Sequence, residues 1–480
     1  MDAEMSNTTH FGSPGTQGAS SFLGYVTLVP KSLASTTMAV ALVAGWVALC
    51  AALRFRRITN FRRQMGFTDR DSLARMTNDQ AQLILKNVIE FEFPKMYLLS
   101  LQFAIFKTYG FESMSRLIVA TKNLADPANA QKRYEDTTIL FGEFSLNPPT
   151  SDRALKAISR MNYLHSRYVA AGQISNADFL YTLAVCITEP IRFMRLYEWR
   201  ALTDMEVCAI GTHWKAIGDA MDIQYKGFLR RELWADGIEF VDDITAWAAQ
   251  YEIDDMKPAR VNLQASSQLT DMMIFHVPSF AKAFAREVLF PEPGIVASLV
   301  AYAALVARRF IVRHLMLPRF TPVVFFSGPD PDTGRILHHD YLVHPYYNPA
   351  TVWNRWGPVG LVTRLLGGTV PGPENMMPQG FLLEDIGPQE KMGKGSAEMA
   401  QGVEMLKGRR RGLFSRLHQS RRDCTNCEKD GNGFDYKCAS DERSEDDAIG
   451  CTHWGEKKCI RGTLRSSTET YLFQTRTSSG

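Results

Sequence analysis

A histidine set into an apolar helical stripe is the first feature of this 480-residue chain that could do chemistry. In SDRALKAISRMNYLHSRYVAAG, residues 151–172, Ile158, Met161, His165 and Tyr168 follow one another at spacings of three, four and three. That spacing puts His165 on the apolar face of a helix. An imidazole there is either a buried residue bonded to a neighbour or a metal ligand. Arg160 and Arg167 lie within about two turns of it, an arrangement suited to an anionic cofactor whose carboxylates need guanidinium partners beside an axial imidazole.

Two further groups bear on the same question. Lys107 is the only charged residue between positions 95 and 112, in KMYLLSLQFAIFKTYGFE. Burying an ammonium is costly unless it is paired or neutralised. Lys107 therefore either snorkels to the surface at a helix end or, with Thr108 beside it, faces a cofactor in an apolar pocket. In RILHHDYLVHPYY, residues 335–347, His338, His339, Asp340 and His344 crowd together. Two histidines and a carboxylate can make an open iron(II) site, although the entirely local spacing and the flanking Pro and Tyr suit a loop packed on the core. His213 and His276 read as structural.

The elements that must carry these residues are helical. Thr77 caps a helix into QLILKNVIE, Pro94 opens the helix ending at Lys107, Ser151 caps the helix of His165, and Gly172 ends it. Further helices are expected to begin near Ser175, Thr203 and Pro278. Only TPVVFF, 321–326, has the look of a strand, and no repeat of fixed period is visible, so an all-α domain over 64–405 is predicted.

Residues 32–53 contain no charge, and a helix of that length covers the roughly 30 Å core of a bilayer. Arg54, Arg56, Arg57, Arg62 and Arg63 follow at once, so the positive-inside rule places the remainder of the chain in the cytosol. The one Asn-x-Ser/Thr sequon, at Asn7, lies on the expected luminal side, in a Ser/Gly/Thr-rich segment 1–31 expected to be disordered. A second apolar stretch, 294–317, is interrupted by Arg308, Arg309, Arg313 and His314, which makes it a buried or interfacial helix rather than a second span.

Fifty-four basic and 51 acidic residues nearly cancel, which argues against a nucleic-acid partner. Between residues 54 and 423 the only cysteines are Cys186 and Cys208, neither in a CxxC motif, so neither a disulfide framework nor thiolate chemistry is expected in the central domain. Residues 406–480 are charged and poor in apolar side chains, as a disordered tail would be. Within them Cys424, Cys427, Cys438, Cys451, His453 and Cys459 offer one Cys-x2-Cys hook, which leaves a zinc site and a dispensable extension both open. There is no GxSxG, HExxH, GxGxxG or P-loop, so hydrolases and nucleotide enzymes lose ground.

The phrase RMNYLHSRYVAAGQISNADFLYTLAVCITEPIRFMRLYEWRALTDME, followed by HWKAIGDAMDI, resembles the ER-bound fungal oxygenases of the rubber-oxygenase superfamily. FKTYG before it, and HPYYNPATVWNRWGP and EDIGP after it, extend the likeness over roughly residues 64–405 together with the anchor. The resemblance implies a globin-like helical core and an ER-membrane enzyme, held by a single span, whose catalytic domain is cytosolic. It also implies cleavage by dioxygen of a carbon–carbon double bond in a lipophilic isoprenoid or prenylated substrate, giving two carbonyl fragments. In the latex-clearing branch haem b is held by a helix histidine opposite a Lys-Thr pair. By that likeness His165 is the axial ligand, Lys107 and Thr108 are the distal pair, and Arg160 and Arg167 are candidate cofactor partners. The arginine found three residues before that lysine in the latex-clearing branch is Ala104 here. The competing readings are a non-haem iron or haem-free oxidoreductase built on His338 to His344, and a non-catalytic membrane-tethered binding protein.

Overall fold

The computed structural model describes residues 31–124, 127–274, 277–289, 295–341, 344–365, 368–372 and 376–408. The segment 1–30, expected to be luminal and disordered, the cysteine-bearing tail and His276 lie outside the described residues. In chain order the helices are α1 (Lys31–Met65), α2 (Arg70–Leu73), α3 (Asn78–Asn87), α4 (Pro94–Thr108), α5 (Glu112–Thr121), α6 (Pro127–Leu146), α7 (Asp152–Ala170) and α8 (Asn176–Tyr197). They continue with α9 (Asp204–Ala220), α10 (Gly237–Asp255), α11 (Arg260–Met273), α12 (Ser279–Leu289), α13 (Ile295–His314), α14 (Val352–Trp356) and α15 (Pro358–Leu365). The only β pairing among the described residues is two isolated bridges, Phe326 with His338 and Ile336 with Phe381, so the strand-like 321–326 run forms no sheet. The domain is all-α.

The helices start where side chains can satisfy the first free backbone N–H groups. Thr77, Ser175 and Thr203 each accept from the backbone N–H three residues on, and Gln80, Asp178 and Glu206 return the bond, closing three capping boxes. Pro94 occupies the first turn of α4, and Ser151 caps α7 through the Ala154 N–H. Gly172, at φ +67°, turns the chain out of α7 in a conformation that suits glycine. Two features carried no such signal: α3 runs on into a π-helical turn, Val88–Glu92, and α8 continues through Pro190.

The core is built where α8 packs on α4 and α9, α6 on α7, and α9 on α10. α8 is sheathed on nearly every side, with Leu180, Tyr181, Val185 and Cys186, which point in different directions around it, at or below 1% exposure. That is the pattern of a central helix with apolar residues around its whole circumference.

α1 is the one described helix long and apolar enough to cross a membrane, and Met38, Leu42 and Val43 on it are largely exposed. The helix does not stop at the expected end of the anchor; it continues through the arginines to Met65. There Arg57 and Arg200 converge on buried Glu92, in the π-helical turn, at 2.6 and 3.4 Å. α13 occupies the second apolar stretch, and most of its apolar residues point outward, although Val312 packs on the core.

Candidate functional site

A cavity of about 370 Å³ opens between α4, α6, α7, α8 and α11, within the range of roughly 300–1,000 Å³ typical of small-molecule and cofactor sites. Its wall is mainly apolar: Leu101 and Ile105 from α4, Phe141 from α6, Leu164 from α7, Phe179 and Leu183 from α8.

α7 brings His165 to this wall. The ring meets the edge of Phe179 at 5.5 Å between centroids, and its buried Nδ1 has no hydrogen-bond partner. Loss of bulk water lowers its pKa to about 4, and the positive charge of Arg133 pushes in the same direction. The imidazole is therefore neutral, the form in which histidine binds metals. The ordinary alternative, a core histidine tied to a neighbour through Nδ1, does not describe this residue.

Of the other residues singled out by pattern, Thr108 and Arg167 also reach the cavity, whereas Lys107 and Arg160 are not among the residues lining it. Thr108 is buried, with its hydroxyl donating to the Ile105 carbonyl at 2.7 Å. Lys107 turns to α8 and α10, with Nζ 3.3 Å from Glu189 and 2.6 Å from Glu252. Arg160 is wholly buried and donates to the backbone carbonyls of Ile386, Lys391 and Lys394, fastening 386–394 onto α7. Arg167 is exposed, bonded to the Tyr168 hydroxyl.

Pattern gave no warning of the cavity's other polar groups. Gln102 Nε2, Tyr134 Oη and Ser145 Oγ are buried in the wall without partners, like His165 Nδ1. Buried polar atoms are rarely left so unless a ligand or water completes them. Arg133 on α6 lines the cavity, as Arg167 does, whereas Arg160 does not, so two guanidinium groups border it. No local signal marks Arg133; only folding brings α6 to α7.

The histidine cluster 338–344 disperses. His338 joins the cavity wall, stacked on Phe326 at 4.9 Å and bonded through Nδ1 to buried Glu135 at 3.1 Å. Asp340 pairs with Lys95 on α4, and His339 is held by its backbone to Phe325. Among the described residues no three His, Cys, Asp or Glu side chains gather as a metal would require, so the three-ligand iron site conceived for this segment does not form. Cys186 and Cys208 are buried free thiols, their pKa values raised by desolvation, in keeping with packing rather than reactivity.

No family model matches the chain. It is 35% identical over 392 residues to the ER-bound oxygenase mpaB′ of Penicillium brevicompactum, an alignment covering 78% of this chain and 92% of the relative. It is also 35% identical over 391 residues to the ER-bound oxygenase mpaB of the same species, covering 80% and 93%. The ER-bound oxygenase mpaB of Penicillium roqueforti is 38% identical over 246 residues, covering 50% of this chain and 82% of the relative.

Proposed function

Since the chain belongs to the ER-bound oxygenase family and is an oxygenase, we propose that it holds haem b through His165 and uses dioxygen to cleave a carbon–carbon double bond of an isoprenoid or prenylated metabolite. The observation that carries this reading is the neutral His165, its Nδ1 unpartnered, in the wall of a largely apolar cavity. Haem iron, when bound, supplies dioxygen activation that no side chain here can perform.

The protein's part is binding, orientation and exclusion of water. Arg133 and Arg167, both on the cavity wall, would pair with the cofactor's carboxylates. Leu101, Ile105, Phe141 and Phe179 give a greasy wall that holds a hydrocarbon chain and keeps bulk water away. Gln102, Tyr134 and Ser145 offer unsatisfied polar atoms with which the wall can orient a polar part of the substrate. Thr108 faces the same space from α4, while Lys107 acts at one remove, its pairs with Glu189 and Glu252 fixing the end of α4. In this reading α1 anchors the enzyme, with its body cytosolic, at the ER membrane, the phase in which a lipophilic substrate concentrates.

Absorbance of the purified full-length protein tests the proposal. A Soret band is expected after expression with haem supply; His165→Ala should abolish it while leaving helical circular dichroism intact, and added imidazole should restore it in part. A wild type without the band, or a variant that keeps it unchanged, overturns the assignment.

A further inference from the structure

α13 is amphipathic in the opposite sense to a helix on a water-facing surface. Ile295, Leu299, Tyr302, Val306 and Phe310 follow at spacings of four, three, four and four and form one stripe, with Ile295 80%, Leu299 62% and Tyr302 65% exposed. Val296 and Val300 flank that stripe and are at least half exposed. The charges between them are withdrawn toward the body: Arg308 bonds Glu198 at 2.7 Å and the Tyr197 carbonyl at 3.2 Å, and Arg309 reaches the Leu196 carbonyl. Water rewards the reverse arrangement, and a contiguous apolar face of this size marks a surface meant to be covered.

The position of the helix identifies the cover. Just beyond α13, the Leu315 carbonyl accepts from Trp46 Nε1 at 2.9 Å and the Met316 carbonyl from Arg54 at 2.7 Å, while Arg57 donates to the Arg319 carbonyl. Arg54 and Arg57 lie where α1 passes from apolar to basic, the composition of a helix leaving a bilayer at its interface, and Trp46 lies within the apolar run about two turns before it. α13 thus packs against α1, and both helices carry exposed apolar side chains. Residues 295–310 extend ~24 Å at 1.5 Å per residue, less than the roughly 30 Å of a hydrocarbon core. With Arg308 and Arg309 held to the body, this stretch can lie in the interface but cannot cross.

We propose that α13, together with Phe280 and Phe284 on the neighbouring α12, is embedded in the interfacial layer of the same membrane that α1 spans, as a second, monotopic attachment of the domain. α12 follows α11, which contributes Leu269 and Met273 to the cavity, so the embedded pair sets that wall of the cavity toward lipid. The attachment does not depend on which cofactor the cavity holds.

Full-length protein in nanodiscs, carrying Leu299→Trp or Val306→Trp, tests this by fluorescence. Leu233→Trp, at an 87% exposed position beside Arg230, Arg231 and Glu232, serves as the water-facing control. Relative to wild type, the emission added at 299 and 306 should be blue-shifted and lost when the phosphatidylcholine acyl chains are brominated, and resist aqueous acrylamide; the control should do the opposite. Emission at 299 and 306 that acrylamide quenches as at 233 overturns the proposal. So does emission shielded from both quenchers in a protein that chemical cross-linking captures as a dimer, which would make a second copy the cover.

Discussion

At His165 the protein selects a protonation state by withdrawing water, with Arg133 as a charged neighbour that makes protonation costlier still. This has a consequence for the ligand-free protein. In the unfolded chain the imidazole takes up a proton near pH 6.5, whereas in the folded chain it does so only near pH 4. Between those values the unfolded state binds more protons, so stability falls as the pH is lowered through that window and is recovered above it. The contribution is at most about 3 kcal/mol. Urea denaturation at pH 7 and pH 4.5 should show a smaller drop for His165→Gln than for wild type; an equal drop would mean that His165 is not desolvated. The candidate importance of His165 and Arg167 was legible because a helix face is written in local spacing. The same spacing could not separate Arg167 from Arg160, whose guanidinium is claimed by the carbonyls of Ile386, Lys391 and Lys394, more than two hundred residues on. Lys107 was recognisable as anomalous for a similar reason, but its partners Glu189 and Glu252 belong to helices that only the fold assembles.

Among the elements, the starts of α3, α7, α8 and α9 were readable because a cap is a contract between residues three apart. The crossing of α9 and α10 was not. Gly211 and Gly237 let the two backbones touch: a Cβ on Gly211 would lie 2.1 Å from the Gly237 carbonyl oxygen, and one on Gly237 would lie 2.2 Å from that of Cys208. Neither atom belongs to a side chain that could rotate away, so the helices themselves must part. Gly211→Ala should cost about 2–3 kcal/mol, seen as a lowered urea midpoint. Gly45, with open space where its Cβ would be, should accept alanine without measurable loss of body stability. The π-helical turn at Val88–Glu92 likewise answers to a distant demand, since it carries the buried Glu92 that Arg57 and Arg200 neutralise. Nothing within those five residues announces it.

For the molecule as a whole, the asymmetry of charge around α1 predicts its orientation. Arg54, Arg56, Arg57, Arg62 and Arg63 follow the apolar run, while Lys31 is the only basic residue before it. In intact microsomes an N-terminal tag and Asn7 should be protected and Asn7 glycosylated, whereas the body should be digested by added protease; a protected body would reverse the orientation. Composition, charge order and 3.6-residue periodicity by themselves determined the helix long and apolar enough to cross a membrane, the all-α body, most helix starts and the placing of His165 on an apolar helix face, because each of these depends on residues within a few turns of one another. The cavity, the presence of Arg133 rather than Arg160 on its wall, the dispersal of His338, His339 and Asp340 onto separate partners and the outward-facing apolar stripe of α13 were decided only by tertiary structure. They depend on which surfaces meet, and a helix face carries no record of whether its partner is another helix, a cofactor or lipid.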